Sequence, residues 1–446
     1  MTYELVIRGG TLVTPTGVLR GDLGIEQGVL RELADELPGG KEEIDARGLL
    51  VLPGAVDAHV HLNDPGRADW EGIATGSAAL AAGGSTTAID MPLNAHPPTV
   101  DAAAFDLKAA RIAESAHVDI ALWGGLVPGR LHELEALARR GVVGFKAFMC
   151  PSGIDDFAAA DSDTLREGML EAARLGLPVA VHAESFELTT RLAARASAAG
   201  RTTMRDFRAS RPVEAELAAI GEALSLAAAT GCSLHVVHVS SGRGVALVAE
   251  ARARGADVSC ETCPHYLVLT EEDAERLGAV AKCAPPLRPA EEREALWSAI
   301  ADGGLPMVAS DHSPSPPELK QPANAFEVWG GIAGAQTMLA LTLDEGERRG
   351  IPLASLVGAI SRYPAHRFGL QGKGALEAGN DADIALVRPD APWTLTAGDL
   401  RQRHPLSPFL GRELRHRVVR TLLRGRTVQV EGKLVTAPSG RLVAPR

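Results

Sequence analysis

The sequence lacks a long apolar run, has few cysteines and has few aromatic residues. Among 446 residues, aromatic residues make up 4%, and no stretch approaches the roughly 18 apolar residues of a membrane span. The start of the chain also lacks the basic and apolar segments of a secretory signal. An odd number of cysteines in such a chain predicts reduced, buried thiols in a soluble cytoplasmic protein, including the C-x-x-C pair; they are Cys150, Cys232, Cys260, Cys263 and Cys283.

Basic side chains are also too few to give the protein a cationic surface. Lysine and arginine total 45 against 56 aspartate and glutamate residues, and the formal net charge is -11. Nucleic acids and anionic membranes are bound by a surplus of basic residues on one face. The charge balance therefore disfavours both kinds of partner and favours a small-molecule substrate.

The two ends of the chain have a similar pattern of short apolar runs separated by glycine turns. Residues 3 to about 50 contain little helical periodicity, and the same pattern returns from about residue 379 onward. We predict that both ends pair into one small, discontinuous β-sandwich domain, formed by residues 1–52 and 376–446.

The middle of the chain alternates short apolar runs with helical segments rich in alanine, leucine, glutamate and arginine. This alternation is typical of repeated βα units around a parallel sheet. Eight such runs predict an α/β fold, a (β/α)8 TIM-like barrel over residues 53–375. The runs are VDAHVH, STTAIDM, VDIALWG, VVGFKAF, PVAVHAE, SLHVVHV, DVSCETC and PMVASDH.

Polar residues at the ends of these runs predict a metal site. His59 and His61 are two residues apart in the first run, so the period of a strand places them on the same face. Such a pair is a weak signal alone, but the strand ends of a βα barrel converge on one mouth. The fourth, fifth, sixth and eighth runs bring further candidates there, namely Lys146, His182, His238 and Asp311.

Other histidines near strand ends are assigned supporting roles. His235 precedes His238 by three residues, so it points to the opposite face of a strand and is interpreted as structural. His265 and His312 are expected to hydrogen-bond to the site rather than bind metal.

Several segments resemble the cyclic amidohydrolases over essentially the whole chain. They are DAHVHLNDPGRADWEG, DMPLNAHPPT, GFKAFMCPSGIDDF, AKCAPPLR, SDHSPSPPELK and WGGIAGAQ. An unmodified lysine would be repelled by nearby dications. The resemblance implies instead that Lys146 is carboxylated by carbon dioxide to N6-carboxylysine and bridges two divalent ions.

The same resemblance implies the ligand set and the chemistry. One ion would be held by His59, His61, Lys146 and Asp311, and the other by Lys146, His182 and His238. Zinc is the first expectation, although cobalt, manganese or iron also suit these ligands. A hydroxide shared by the ions would attack a cyclic amide, and Asp311 would carry the proton to the leaving nitrogen.

Within this family the segments are most similar to the allantoinase group, which opens the hydantoin ring of allantoin to allantoate. Dihydroorotases commonly carry an arginine where this chain has Asn63, although Arg67 lies four residues further on and keeps that alternative open. Dihydropyrimidinases and hydantoinases usually carry a tyrosine where this chain has Pro151.

The resemblance also implies a substrate pocket and an assembly. Expected substrate contacts are Asn63, Asn94, Ser152, Ala284 and Gly331. Relatives commonly form homotetramers or dimers, so a homo-oligomer is expected. A scaffold protein that has lost its activity is the alternative from another class, and the six intact ligand candidates argue against it.

Overall fold

The computed structural model describes residues 3–446, and its first part is a set of β-strands. Runs of buried residues lie along β1, β2 and β5, whereas β4 is largely exposed, and turns that contain glycine separate most of these strands. Their bounds are β1 (Tyr3–Thr14), β2 (Gly17–Glu26), β3 (Val29–Ala34), β4 (Gly40–Asp45) and β5 (Leu50–Pro53).

A ring of short parallel strands follows, and their side chains are buried on both faces. They are β6 (Ala55–Val60), β7 (Ser85–Asp90), β8 (Asp119–Leu122), β9 (Gly124–Gly125), β10 (Phe145–Phe148), β11 (Val179–His182), β12 (Leu234–Val236) and β13 (Val258–Cys260). β6, β7 and β8 form one sheet, and β9 to β13 form another. Only Trp123 separates β8 from β9, so together they correspond to the third predicted run.

The eighth predicted run, residues 306–312, completes the ring through isolated bridges. Val308 bridges Thr262 after β13, and His312 bridges Val60 of β6. Short backbone hydrogen bonds support both joins, such as the one of 2.7 Å from His61 N to His312 O. The hydrogen-bonded sheet itself is not closed, because this segment forms no continuous ladder, but the predicted barrel architecture is confirmed.

Helices alternate with the barrel strands and cover them. Asp161 caps α4 by accepting a hydrogen bond of 2.8 Å from Thr164 N, and Gly176 ends that helix in the left-handed conformation at φ 70°. The helices are α1 (Ile73–Ala82), α2 (Ala102–Ser115), α3 (Leu134–Arg140), α4 (Ser162–Leu175), α5 (Phe186–Ala198), α6 (Met204–Ala209), α7 (Val213–Thr230), α8 (Gly242–Ala253), α9 (Pro264–Val268), α10 (Glu271–Leu277), α11 (Ala290–Ala301), α12 (Met338–Arg348), α13 (Leu353–Ile360) and α14 (Arg362–Arg367). Among residues 3–446, no helix is both long and apolar enough to cross a membrane.

The last strands join the first ones in a single nine-stranded sheet. They are β14 (Ile384–Arg388), β17 (Arg417–Leu423), β18 (Arg426–Val430) and β19 (Lys433–Leu434), while β15 (Trp393–Thr394) and β16 (Glu413–Leu414) pair separately. β14 lies antiparallel to β5, with Ala385 opposite Leu52. This sheet encloses its own apolar core, which includes Ile7, Leu23 and Ile384. The prediction that both chain ends build one β domain is confirmed.

The end of the chain then returns to the barrel. Ile120 N donates to Arg441 O at 3.0 Å, and Val443 N donates to Ile120 O at 2.9 Å. Beside them, Lys373 Nζ lies 2.7 Å from a carboxylate oxygen of Asp119 and 2.7 Å from one of Asp383. A buried cation thus links the barrel to the β domain. The limits of the domains at residues 52 and 376 stay a prediction.

Candidate metal centre and its cavity

A cavity of about 260 Å³ opens where the carboxyl ends of the barrel strands meet. Parallel strands of a closed barrel all deliver their last residues to this face, which is why side chains distant in sequence meet there. The predicted site residues among those that line it are His59, His61, His182, His238, Asp311, Asn94, Ser152 and Ala284.

His59, His61 and Asp311 form a compact group at the base of this cavity. His59 Nε2 and His61 Nε2 lie 3.3 and 3.4 Å from the same oxygen, Asp311 Oδ1. Burial lowers the pKa of His61. Burial opposes ionisation of Asp311, yet the two imidazoles hold its pKa well below the usual range. A neutral imidazole and an ionised carboxylate are the forms that bind metal, so this donor set fits a divalent cation.

Lys146 lies in the middle of β10 and is fully buried. Its Nζ has no hydrogen-bond partner among residues 3–446 and lies 5.1 Å from the ring centre of Phe148. Burial lowers the pKa of this amine to about 7. A buried amine without a hydrogen-bond partner destabilises the fold, so a further group is needed to satisfy the Lys146 amine in this position.

His238 completes the cluster beside these residues. Its ring centre lies 5.4 Å from that of His59 and 4.6 Å from that of His182. Its Nδ1 is buried and has no partner among the described residues. Burial lowers the pKa of His238 well below its usual value, which keeps the imidazole neutral.

His182 is held by a carboxylate that the sequence analysis missed. Its Nε2 lies 2.8 Å from Glu184 Oε2, and the same oxygen is paired with Arg211. Glu184 therefore orients the ring and leaves the other ring nitrogen of His182 for a ligand. Because Glu184 follows His182 by two residues, the period of a strand was a usable signal for this pair.

Glu261 plays the same part for His59 and was also missed. Its Oε1 lies 2.6 Å from His59 Nδ1, and its Oε2 lies 3.1 Å from His235 Nε2. His235 in turn contacts Ser259 Oγ at 2.8 Å through Nδ1, in agreement with its predicted structural role. In the sequence, Glu261 lies between Cys260 and Cys263, whose C-x-x-C spacing is the more conspicuous pattern. All five cysteines of the chain are free and buried, as predicted.

The predicted substrate contacts divide into two sets. Asn94, Ser152 and Ala284 line the cavity, but the Ser152 hydroxyl donates to Phe157 O at 2.6 Å. The structure does not bring Asn63 or Gly331 to the cavity wall. Their positions are fixed by other contacts, since Asn63 Nδ2 donates to Pro314 O at 3.4 Å and Gly331 N donates to Lys282 O at 2.9 Å.

Arg67, the residue that kept the dihydroorotase alternative open, holds a loop. Its Nη1 donates to Asn94 O at 3.0 Å, and its Nη2 lies 3.5 Å from Asp156. The guanidinium therefore supports the backbone of a cavity residue.

Positive backbone φ angles occur at four predicted site residues. Such angles are rare in residues other than glycine and concentrate at functional sites, where the surrounding structure holds them. Here they are 60° at Asn63, 70° at Asn94, 39° at His238 and 45° at Asp311. The strand ends thus turn sharply as they deliver these side chains.

A segment that the sequence analysis missed forms another part of the wall. Residues 326–331, called the strap below, lie in the loop after the eighth barrel run, and residues 326–330 line the cavity. Lys320 Nζ donates to the carbonyls of Trp329 and Gly331 at 2.8 and 2.7 Å. Lys282 donates to the Val328 carbonyl and lies over the ring of Phe207. Two lysines therefore fix the backbone of the strap.

The sequence profile of the amidohydrolase family matches residues 50–428. The chain is 59% identical to an allantoinase of Rubrobacter xylanophilus over 100% of this chain and 98% of that protein. It is 49% identical to an allantoinase of Deinococcus radiodurans over 100% of both.

Solved structures of similar proteins give the same picture. An L-hydantoinase (dihydropyrimidinase) from Arthrobacter aurescens matches with a TM-score of 0.97 and 34% identity, over 99% of this chain and 100% of that one. A dihydropyrimidinase from Brevibacillus agri matches with a TM-score of 0.91 and 32% identity, over 98% of both chains.

Proposed function

Because the chain belongs to the amidohydrolase family, we propose that it is a metal-dependent hydrolase that opens the hydantoin ring of allantoin to give allantoate. The full-length likeness to allantoinases at 59 and 49% identity supports this substrate over those of the hydantoinases, which are less similar in sequence. The substrate is a small molecule, in agreement with the acidic surface and the size of the cavity.

The observation that carries the proposal is the buried Lys146 amine, which lies among candidate metal ligands and has no hydrogen-bond partner within residues 3–446. Reaction of a neutral amine with carbon dioxide forms an N–C bond and releases one proton, which converts the lysine to a carbamate anion. Burial favours the neutral amine that this reaction needs. The carbamate would then supply two oxygen ligands.

The ligand group and the family match support binding of divalent metal. His59, His61, Asp311 and carboxylated Lys146 would hold one ion, and Lys146, His182 and His238 the other. Zinc remains the first choice, with cobalt, manganese or iron as alternatives. When bound, such ions lower the pKa of water and polarise a carbonyl.

The chain's own residues then orient the reactants and move the proton. Asp311 is ionised and lines the cavity, so it accepts the proton of the attacking water and returns it to the leaving ring nitrogen. Pro151 has no donor, and the Ser152 hydroxyl donates to Phe157 O. The loop after β10 therefore orients the substrate by shape rather than through these two side chains.

A substrate panel combined with metal analysis tests the proposed function. Purified enzyme should contain close to two metal ions per chain, and its kcat/KM should be highest for allantoin among allantoin, hydantoin, dihydrouracil and dihydroorotate. Asp311→Asn is the inactive control, because it keeps the shape of the side chain but removes the carboxylate that would serve both as base and as metal ligand. Highest kcat/KM for dihydrouracil would contradict the substrate, and well under one ion per chain without hydrolysis after metal addition would contradict the enzyme.

Replacement of Lys146 tests the carbamate. Lys146→Ala should abolish hydrolysis and lower metal content, and small carboxylic acids such as acetate should restore part of both by filling the vacated space. Intact-mass measurement of the native protein should detect carbon dioxide on this lysine. Full activity in Lys146→Ala would refute the carbamate.

A homotetramer or a dimer, and a cytoplasmic location, stay predictions from the sequence.

A further inference from the structure

The strap contains one buried polar group that the proposed mechanism does not use, the indole N–H of Trp329. Trp329 Nε1 is buried and has no hydrogen-bond partner among residues 3–446, and Trp329 is one of the residues that line the cavity. The backbone of the same residue is fully engaged. Its N–H donates to Leu319 O at 2.9 Å, and its carbonyl accepts from Lys320 Nζ at 2.8 Å. The indole N–H is therefore the polar group of Trp329 that remains for a ligand.

The ring of Trp329 is held in a defined position. Its edge packs against the ring of Trp70, with centroids 4.7 Å apart and an interplanar angle of 76°. The Trp70 ring is itself in contact with Arg67, whose guanidinium carbon lies 5.6 Å from the ring centre. A rigid aromatic side chain with one fixed donor gives directional recognition at little entropic cost.

An indole N–H only donates, so its partner must be an acceptor. The charges that line the cavity do not call for an ionised acceptor. Charges of both signs line the cavity, namely the cations of Lys282 and Arg211 and the carboxylates of Asp311 and Glu327. Both cations already have partners, since Lys282 donates to Val328 O and Arg211 is paired with Glu184. A carbonyl oxygen of an uncharged substrate satisfies a buried N–H without bringing an unpaired charge into the cavity.

We propose that Trp329 determines specificity by donating its indole N–H to the ureido carbonyl oxygen of allantoin. This inference rests on the proposed function, in which the reacting ring carbonyl lies at His59, His61 and Asp311. The ureido arm then provides the carbonyl that distinguishes allantoin from unsubstituted hydantoin. Hydantoin leaves the indole N–H without this partner, so the strap favours the substrate that carries the arm.

The test compares allantoin and hydantoin as substrates of the metal-loaded enzyme. Trp329→Phe keeps an aromatic ring against Trp70 and removes the donor. It should lower kcat/KM for allantoin about tenfold, the usual effect of one lost hydrogen bond that leaves its partner unpaired, and leave kcat/KM for hydantoin unchanged. Trp70→Phe is the matched control, because it changes the other ring of the pair, and its ratio of the two kcat/KM values should equal that of the unmodified enzyme.

A second variant separates the loss of the N–H donor from a loss of ring packing. Replacement of Trp329 by 3-benzothienylalanine puts sulfur in place of the indole N–H and keeps the size of the ring. It should reproduce the selective loss on allantoin at an unchanged melting temperature. An equal loss on both substrates, or no loss on either, would overturn the inference while the proposed function stands. Unmodified enzyme that opens hydantoin but not allantoin would instead contradict the proposed function and this inference together.

Discussion

Glu261 provides the sharpest test of how the fold prepares its candidate metal ligands. Its carboxylate is fully buried, and its two oxygens contact His59 Nδ1 at 2.6 Å and His235 Nε2 at 3.1 Å. Burial opposes ionisation, but the two histidines lower the pKa of Glu261 to about 2. The group is therefore an anion at neutral pH that fixes the orientation of His59 and makes its Nε2 a stronger donor to metal.

Glu261→Gln preserves the size of the side chain and removes this charge. Loss of a carboxylate that hydrogen-bonds a metal-binding histidine typically weakens metal affinity by about 10- to 100-fold, so we expect a change in this range. Only one of the two proposed ions depends on His59. The variant should therefore lose the first ion at a lower chelator concentration than the unmodified protein and keep the second.

The assay is a titration of the metal-loaded protein with a colorimetric chelator at neutral pH. Glu216→Gln is the matched control, since Glu216 is an equally buried glutamate that accepts from Ser240 N at 2.8 Å and from Ser240 Oγ at 2.9 Å, away from the cavity. The control should keep the metal affinity of the unmodified protein. If Glu261→Gln keeps it as well, the argument that this carboxylate tunes His59 is refuted.

Further predictions concern the lysine beneath the barrel and the glycines of the strap. Lys373→Met should lower the free energy of unfolding by about 3–5 kcal/mol, because it leaves the buried Asp383 carboxylate without a cation, whereas Asp119 keeps Arg424. Neighbouring carboxylates raise the pKa of Lys373 against the effect of burial, so its stabilisation is fully present below the ordinary lysine pKa and is lost as the pH rises through the raised value. Urea unfolding of the unmodified protein and of Lys373→Met should show that the difference in their free energies of unfolding shrinks as the pH rises through the alkaline range. A constant difference would contradict the ion-pair account. Gly331→Ala should cost about 1–3 kcal/mol, since its Cβ would lie 2.3 Å from Ser313 O, whereas Gly330→Ala meets nothing nearer than Lys282 Cε at 3.9 Å and should be neutral. Equal melting temperatures for the two alanine variants would show that the strap has more room than its contacts indicate.

Much of the fold was predictable because its signals are local. The eight βα runs and the two β-rich ends follow from residue periodicity, and the strand ends of a barrel must meet at one face. His59, His61 and Asp311 were therefore expected to lie together. In the structure, both histidine Nε2 atoms lie close to the same oxygen of Asp311. The resemblance to the cyclic amidohydrolases added the chemistry of Lys146, which periodicity alone does not give.

Residues that act through other residues were harder to find. Glu261 is 202 positions from His59, and no local pattern links the two. The strap comes from an irregular loop without a repeating pattern, so its position over the cavity was not predictable from spacing. The positions of Asn63 and Gly331 outside the cavity wall were not predictable either, because they depend on how the loops pack.

The sequence by itself determined the barrel, the paired ends and which strand ends carry candidate metal ligands, because hydrophobic periodicity and strand geometry act over a few residues. Only the tertiary structure decided that Glu184 and Glu261 hold two of those histidines, and that the Lys146 amine and the Trp329 indole N–H are buried without a partner among residues 3–446. Those facts depend on contacts between loops and strands far apart in the chain, where burial and the pairing of polar groups are set by the packing of the whole molecule.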